Sequence, residues 1–365
     1  MKVVYCGRKP TQGEYDPTID KLKSFGQEAI FYDFSANENE KNRWLLRHFQ
    51  MYENVLNYVE EIGADLLYFN DPISCPELMI SELEVRPNLK TRITSIQQFR
   101  EVNRSDARAH TIKKLLDLPQ IAKIFIISPI VDNVKFPEKF ERTKPDKTKI
   151  QIISEPLNEN LEIFKKLDRE ECRKKLLFEK DDFVVLYSGS WTYVKGVDIF
   201  IEALKYIDKD IKVFIHKNEE GNSDPTLKNT NLLEEARENH PNIFAYQGRI
   251  KEGEMAQIYM TADLVVCPHR KMYEYSTSGM PNMAAMAKVP LVVPDFYFFN
   301  EIVNRYKLGL TFEPENPIDM ARAINESRKN YSSIIKNCKF EESINRYGLA
   351  SDIAEKILKS IGYIK

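Results

Sequence analysis

The stretch that decides the fold is FVVLYSGSWTYVKGVDIFIEAL, residues 183–204. From Phe183 to Tyr187 every position is apolar or aromatic, the pattern of a strand covered on both faces. The run stops at Ser188, Gly189 and Ser190, where a glycine lets a backbone or a ligand approach closely. From Lys195 and Gly196 the spacing changes. Val197, Phe200, Ile201 and Leu204 fall at i, i+3, i+4 and i+7, which predicts a helix over 195–207. Strand, tight turn and helix in that order form half of a βαβ unit, so the sheet is parallel.

The same alternation runs through most of the chain. Strands are expected at 3–7, 29–34, 65–71, 92–96 and 123–128, with helical patterns at 15–25, 40–62, 76–86 and 105–117. The Lys-rich stretch KFPEKFERTKPDKTK, 135–149, with two prolines, reads as an exposed connector near a domain boundary. Strands then resume at 150–156, 183–190, 211–217, 242–248, 263–269, 290–295 and 308–314. Helices fit at 167–179, 195–207, 226–239, 252–261, 281–287, 298–305 and 317–329, and 331–362 is helical with no further strand. The reading is therefore an α/β chain of two doubly wound parallel-sheet domains, 1–150 and 151–347, with a helical tail at 348–365. In open parallel sheets, ligands lie beyond the carboxyl ends of the strands.

Composition narrows the function classes. With 42% hydrophobic and 30% charged residues the chain reads as an ordinary globular protein, and 365 residues suffice for two domains. The formal charge of −2 gives no global field for nucleic acid, so none is expected as a partner. No apolar run reaches membrane-spanning length, and the amino terminus starts directly as a strand, with no signal-peptide core. The five cysteines form no CxxC pair and the five histidines never fall at ligand spacing, so neither a disulfide framework nor a metal centre is expected. The cytoplasm is the default compartment.

Two stretches can carry chemistry. In the first, Gly189 and Ser190 end a strand and a helix begins near Lys195, so free amides and an ammonium are offered together to an anion. A surface lysine beside a tight turn is the plain alternative. The second is STSGMPNMAAMAKVPLVVPD, 276–295. Its small-residue loop, Ser276, Thr277, Ser278, Gly279 and Met280, precedes Pro281, a residue suited to the first turn of a helix. Such a loop can turn amides and hydroxyls towards a phosphate. A closely packed connector is the plain alternative. Asp208-Lys209-Asp210 matches a metal-binding DxD but precedes its strand, at the wrong edge of the sheet, and reads as a solvated turn.

Taken together, these stretches resemble the group 1, or GT4-type, glycosyltransferases. SGSWTYVKGVDIFIEAL is similar to their donor-side motif. NIFAYQGRIKEGEMAQIYMTADLVVCPH is similar to the strand, glycine, helix and Ala-Asp that follow it. AAMAKVPLVVPDFYFFNEIV is similar to the family's Glu-Ala-Met-Ala to Glu-Ile-Val run. The resemblance covers about 155–310. Over 1–150 it rests on the alternation and on a loop from Gly7 to Gly13.

The resemblance implies the GT-B architecture, two Rossmann-like domains, with the C-terminal helix 348–362 returning to the first. It implies a retaining transfer of a sugar from a nucleotide diphosphate sugar to a glycan or lipid-linked glycan. No metal and no further cofactor would be needed. Such an acceptor is compatible with peripheral association on the inner face of a membrane. Gly189, Ser190 and Lys195 would face the diphosphate, with Arg249 and Ile250 near the base. Residues 276–280 would hold the distal phosphate and the sugar, helped by Arg270 or Lys271.

The sequence departs from the family at several places. Ser190 stands where the family has arginine, and the paired glutamates fall at Ser276 and Ala284, which makes the motif degenerate. Glu274 is the carboxylate nearest the sugar's expected place, and Gln97 stands where the family often has a histidine. The expected catalytic set is therefore Lys195, Glu274 and Gln97. His269 is expected at a cleft mouth and Glu301 in the first turn of its helix. A non-catalytic binding or partner subunit on the same fold is the main rival, and an epimerase or phosphorylase is a third reading. Donor base, sugar, acceptor and oligomeric state are not encoded legibly.

Overall fold

A computed structural model describes residues 1–7, 17–33, 44–69, 73, 75–98, 105–128, 134, 136–154, 161–218, 231–248, 250, 252–274, 276, 278–346, 350–360 and 362–363. The contacts divide the chain into two units, 1–156 with 348–365, and 157–347.

The first unit holds β1 (Lys2–Gly7), β2 (Glu28–Asp33), β3 (Leu66–Phe69), β4 (Arg92–Gln98), β5 (Ile121–Ile127) and β6 (Ile150–Ile153). They pair in parallel in the order β2-β1-β3-β4-β5-β6. Val3, Val4, Tyr5 and Cys6 are all buried, as befits a central strand covered on both faces. The helices Pro17–Ser24, Trp44–Glu61, Pro76–Glu84 and Asp106–Asp117 connect the strands. Ser105 starts the last of these by accepting a hydrogen bond from the Arg108 amide at 3.1 Å.

Two expectations change here. The strand at 150–156, read as the start of the second half, extends the first sheet by pairing with β5. The stretch 135–149 is not simply an exposed connector. It contains the short helix Glu138–Glu141, whose Phe140 is fully buried, and that helix packs on Asp106–Asp117. Phe140 anchors it, with the Phe136 ring centroid 5.4 Å from its own.

The second unit holds β7 (Val184–Ser190), β8 (Lys212–Asn218), β9 (Ile243–Gln247), β10 (Leu264–Val266), β11 (Leu291–Pro294) and β12 (Gly309–Phe312). Their order is β12-β11-β10-β7-β8-β9, again all parallel. The two doubly wound sheets make this a GT-B fold. The helix after β7 spans Val197–Ala203, and its Val197, Phe200 and Ile201, with Leu204 just beyond, are all buried, so the i, i+3, i+4, i+7 stripe faces the core. A short helix at Leu161–Lys166 was not expected from the sequence. Helices Tyr331–Asn337, Phe340–Arg346 and Ala350–Ser360 close the chain.

Among the described residues no helix is long and apolar enough to cross a membrane. Nor, among them, do three His, Cys, Asp or Glu side chains gather as a metal site would require.

Candidate functional site

In the second sheet the chain winds from β7 outward through β8 and β9, then returns to the other side of β7 at β10. Ligands of such sheets lie outside the carboxyl ends of the two strands where the order reverses. Here those strands are β7 and β10, and their loops, 191–196 and 267–278, meet.

Lys195 closes a 3-10 turn, Tyr193–Lys195, on the β7 loop. Tyr273 closes another, Lys271–Tyr273, on the β10 loop. The Lys195 Nζ lies 3.3 Å from the Tyr273 hydroxyl and 4.8 Å from the ring centroid. The loops are held in this relation by Arg270. Its amide donates to the Val194 carbonyl at 3.0 Å. Its guanidinium donates to both Asp198 oxygens, at 2.9 and 2.6 Å, and to the Tyr193 carbonyl at 2.6 Å. It also lies 3.8 Å from the centroid of the Tyr193 ring. Gly196 makes the approach possible. It has φ +65°, and a Cβ there would stand 1.9 Å from the Pro268 carbonyl oxygen.

Behind Tyr273 lies His269, fully buried, with its ring centroid 4.5 Å from that of Tyr273 and 5.1 Å from that of Phe299. Burial first, and then the positive charge of Lys195, hold its pKa well below the ordinary histidine value. The imidazole is therefore neutral, and its Nε2 shares a hydrogen bond of 3.3 Å with the Ser278 hydroxyl. Ser278 occupies the N-cap position of the helix Gly279–Met286, yet its side chain makes no cap bond. The hydroxyl serves His269 and leaves the first turn uncapped by Ser278 itself. At Gly279, which is exposed, nothing lies within 4 Å of the place a Cβ would take. At Gly189 a Cβ would lie 3.9 Å from the Met280 sulfur, so the end of β7 faces the start of this helix.

The chain Lys195, Tyr273, His269, Ser278 thus joins an ammonium to a helix amino terminus. Both elements favour an anion. A buried, neutral histidine between them adds no competing charge.

Of the residues named from the sequence, Lys195, Gly189, Ser278, Gly279 and Met280 come together. Ser190 ends β7, and its carbonyl accepts from the Tyr187 hydroxyl at 3.2 Å. Ser276 is buried, with its amide donating to the Tyr273 carbonyl at 2.8 Å. Glu274 follows Tyr273 and is half-buried. Arg249 and Thr277 lie outside the described residues, as does the loop expected from Gly7 to Gly13 past its first residue. Gln97 belongs to the first unit, at the end of β4. It is fully buried, and its Nε2 donates to the Ile73 carbonyl at 3.4 Å.

Several expectations are corrected. Arg270 is consumed by Asp198 and Tyr193 and is the pin of the two loops, while Lys271 is exposed. His269 does not face a cleft mouth but is enclosed. Glu301 lies beyond the first turn of Tyr297–Tyr306 and pairs with Arg305 one turn on. The reading of Asp208-Lys209-Asp210 as a solvated turn agrees with the structure: both carboxylates are exposed on the turn before β8 and pair with Arg328, at 3.2 and 2.9 Å. The sequence reading missed Tyr273, and its only signal was an aromatic four residues after a strand-ending histidine. It also missed His216, which shares 2.8 Å with the Ser188 hydroxyl and 3.2 Å with the Gly248 carbonyl, and whose pKa is lowered by burial.

Residues 168–347 match the model of a family described as glycosyl transferases group 1. No match is found among curated protein sequences. Among solved structures the chain is similar to a glycosyltransferase from Rickettsia africae, at 14% identity and TM-score 0.71, covering 99% of this chain and 98% of that one. It is similar to sucrose-phosphate synthase from Thermosynechococcus elongatus, at 14% identity and TM-score 0.70, covering 98% and 97%. The Anabaena protein HepE, solved in complex with UDP-glucose, matches at 13% identity and TM-score 0.69 over 100% of both chains. At these identities the likeness is one of fold.

Proposed function

We propose that this chain, a group 1 glycosyltransferase through residues 168–347, is a retaining enzyme that moves a sugar from a nucleotide diphosphate sugar to a glycan or lipid-linked glycan. The observation that supports this most is the meeting of Lys195 with the amino end of Gly279–Met286 at the strand reversal. A diphosphate is the anion with the length and charge to use both. In the transfer, the bond from the anomeric carbon to the β-phosphate oxygen breaks and its electron pair leaves on the phosphate. The acceptor oxygen bonds to the same face, and its proton passes to the leaving phosphate oxygen. Stabilising that developing charge is the main demand on the protein, and fixed donors and cations meet it. In this reading Lys195 is the catalytic cation and Glu274 contacts the sugar, while Gln97, enclosed in the first unit, is left without the acceptor role the resemblance implied.

The test is calorimetry with a panel of nucleoside diphosphates and their sugars, followed by transfer and hydrolysis assays with and without a chelator. Lys195→Ala is expected to weaken nucleoside diphosphate binding or turnover by about 10- to 100-fold. That corresponds to a charge-assisted contact of ~1.5–3 kcal/mol. Unchanged affinity and rate in that variant would remove the assignment. Binding without any turnover in the wild type would favour a non-catalytic binding subunit.

A further inference from the structure

The second sheet ends at β9, which pairs with β8 on one side and, among the described residues, with no strand on the other. The Val213 amide donates to the Asn242 carbonyl at 2.9 Å, and the Gly248 amide to the Lys217 carbonyl at 3.1 Å. The parallel register is unbroken between those points, so Asn242, Phe244, Tyr246 and Gly248 turn their backbone groups to β8. Ile243, Ala245 and Gln247 turn theirs outward, and among the described residues these amides and carbonyls meet no partner. Ala245, Tyr246 and Gln247 are exposed. Sheets blunt such an edge with a lysine, a proline or a bulge, and residues 242–248 contain none of the three.

Beside this edge lies a pocket of about 380 Å³ lined by Phe178, Phe214, Phe244, Tyr246, Ile250 and Ile258. Phe244 and Tyr246, two residues apart, reach it from the same face of β9. The Phe178 ring centroid lies 4.8 Å from that of Phe244 and 5.8 Å from that of Phe214. Tyr246 is 45% exposed, so its own chain covers little more than half of it. Lys175 and Glu254, of opposite sign, also border the pocket.

We propose that β9 is a homodimer interface, formed by antiparallel pairing with β9 of a second copy about a two-fold axis at Ala245. Outward amides and carbonyls at this spacing are met by another extended strand. The sequence of β9 selects the same strand. A strand paired with its own copy about a two-fold axis is antiparallel, and each residue meets the one equally far from the axis. Ala245 then faces Ala245 of the second copy and Ile243 faces its Gln247, each pair exchanging two hydrogen bonds. Phe244 faces its Tyr246 at the closer, non-hydrogen-bonded spacing, an aromatic pair on the pocket side. The two pockets become neighbours across the axis. The strand brings no charge to the contact, and each pocket offers the other a lysine and a glutamate, so the surfaces are complementary.

The test is sedimentation velocity on the full chain over a wide range of concentration, with urea midpoints as the check on folding. The wild type is expected to dimerise. Ala245→Pro removes an outward amide and no bond to β8, so its urea midpoint should hold while the dimer Kd rises by about tenfold or more. Ala245→Lys and Ala245→Glu should each be monomeric, because each sets like charges opposite one another, and an equimolar mixture of the two should recover the dimer. A wild type that stays monomeric overturns the proposal and leaves the edge to another polypeptide. A dimer whose Kd is unchanged in either Ala245→Pro or Ala245→Lys overturns it as well, since the contact then lies elsewhere. Monomeric variants that fail to associate when mixed also overturn it, because Ala245 is then not opposite itself. None of these measurements involves a nucleotide, so their outcome is independent of the proposed function.

Discussion

Single residues decide the site through demands that neighbours in space impose on them. Gly196 is the clearest case. A side chain there would strike the Pro268 carbonyl and would also have to adopt a left-handed backbone. Gly196→Ala is therefore expected to cost about 2 kcal/mol or more, read as a lower urea midpoint at an unchanged m-value. The Lys-Gly pair was legible in the sequence because the turn needs it locally. The fate of Arg270 was not, because it depends on Asp198, which lies on another element. The same holds for His269, whose position after a strand fits an exposed residue as well as an enclosed one. Its burial has a consequence in pH. His269, His216 and His240 all have pKa values lowered chiefly by burial, so the unfolded chain binds protons that the fold refuses. Stability from this source is complete above the unfolded histidine pKa, about 6.5, and is lost as pH falls from there towards the lowered folded values. The urea midpoint should be level from about pH 7 to 8 and decline below about 6.5. His269→Asn should make that decline shallower. Asp319, held low by its hydrogen bond to Arg322, contributes only in the carboxylate range below this window.

At the level of elements, hydrophobic period was the reliable guide. Long apolar runs such as 183–187 and 290–293 carry their strand character in every residue, and β7 and β11 form there. Leu161–Lys166 was missed because six residues with one buried aromatic, Phe164, do not complete a periodic stripe. β6 was assigned to the wrong half because a strand's own sequence does not name the sheet it joins. Pairing of elements is fixed instead by long-range polar contacts, and Asp263 shows how. It precedes β10 and accepts from the Val184 amide at 2.7 Å, from Arg169 at 2.7 Å and from Arg173. Arg173 in turn donates to the carbonyls of Thr261 at 3.0 Å and of Lys180 and Asp182 at 2.8 Å each. One carboxylate thereby ties the helix Arg169–Lys175 to the starts of β7 and β10, the two strands that carry the site. Arg173 and Asp263 are each less than a tenth exposed at the side chain. Removing one partner strands a buried charge, at about 3–5 kcal/mol. Asp263→Ala should therefore unfold at markedly lower denaturant, with nucleoside diphosphate affinity lost along the same curve and not before it.

For the whole molecule, the chain's last helix matters most. Ala350–Ser360 follows the second unit in sequence yet belongs to the first. Its Ala354, Ile357 and Leu358, at i, i+3 and i+4, are buried with Leu22, Val3 and Tyr5 against the first sheet. The amphipathic pattern of this helix is written in the sequence, but a stripe of that kind fits any apolar face, so the pattern does not say which sheet it covers. The energetic weight is calculable. Burying one Ile or Leu side chain is worth ~1.5–3 kcal/mol, so Ile357 and Leu358 together supply about 3–6 kcal/mol, a large part of an ordinary domain's stability. Deleting residues 348–365 should therefore weaken the first unit far more than the second. Hydrogen exchange should show β1 and the helix Pro17–Ser24 losing protection while β7 and β10 keep theirs. Calorimetric unfolding should separate an early transition from one near the original temperature. Equal loss of protection in both sheets would show instead that the stability of the second unit also depends on this helix.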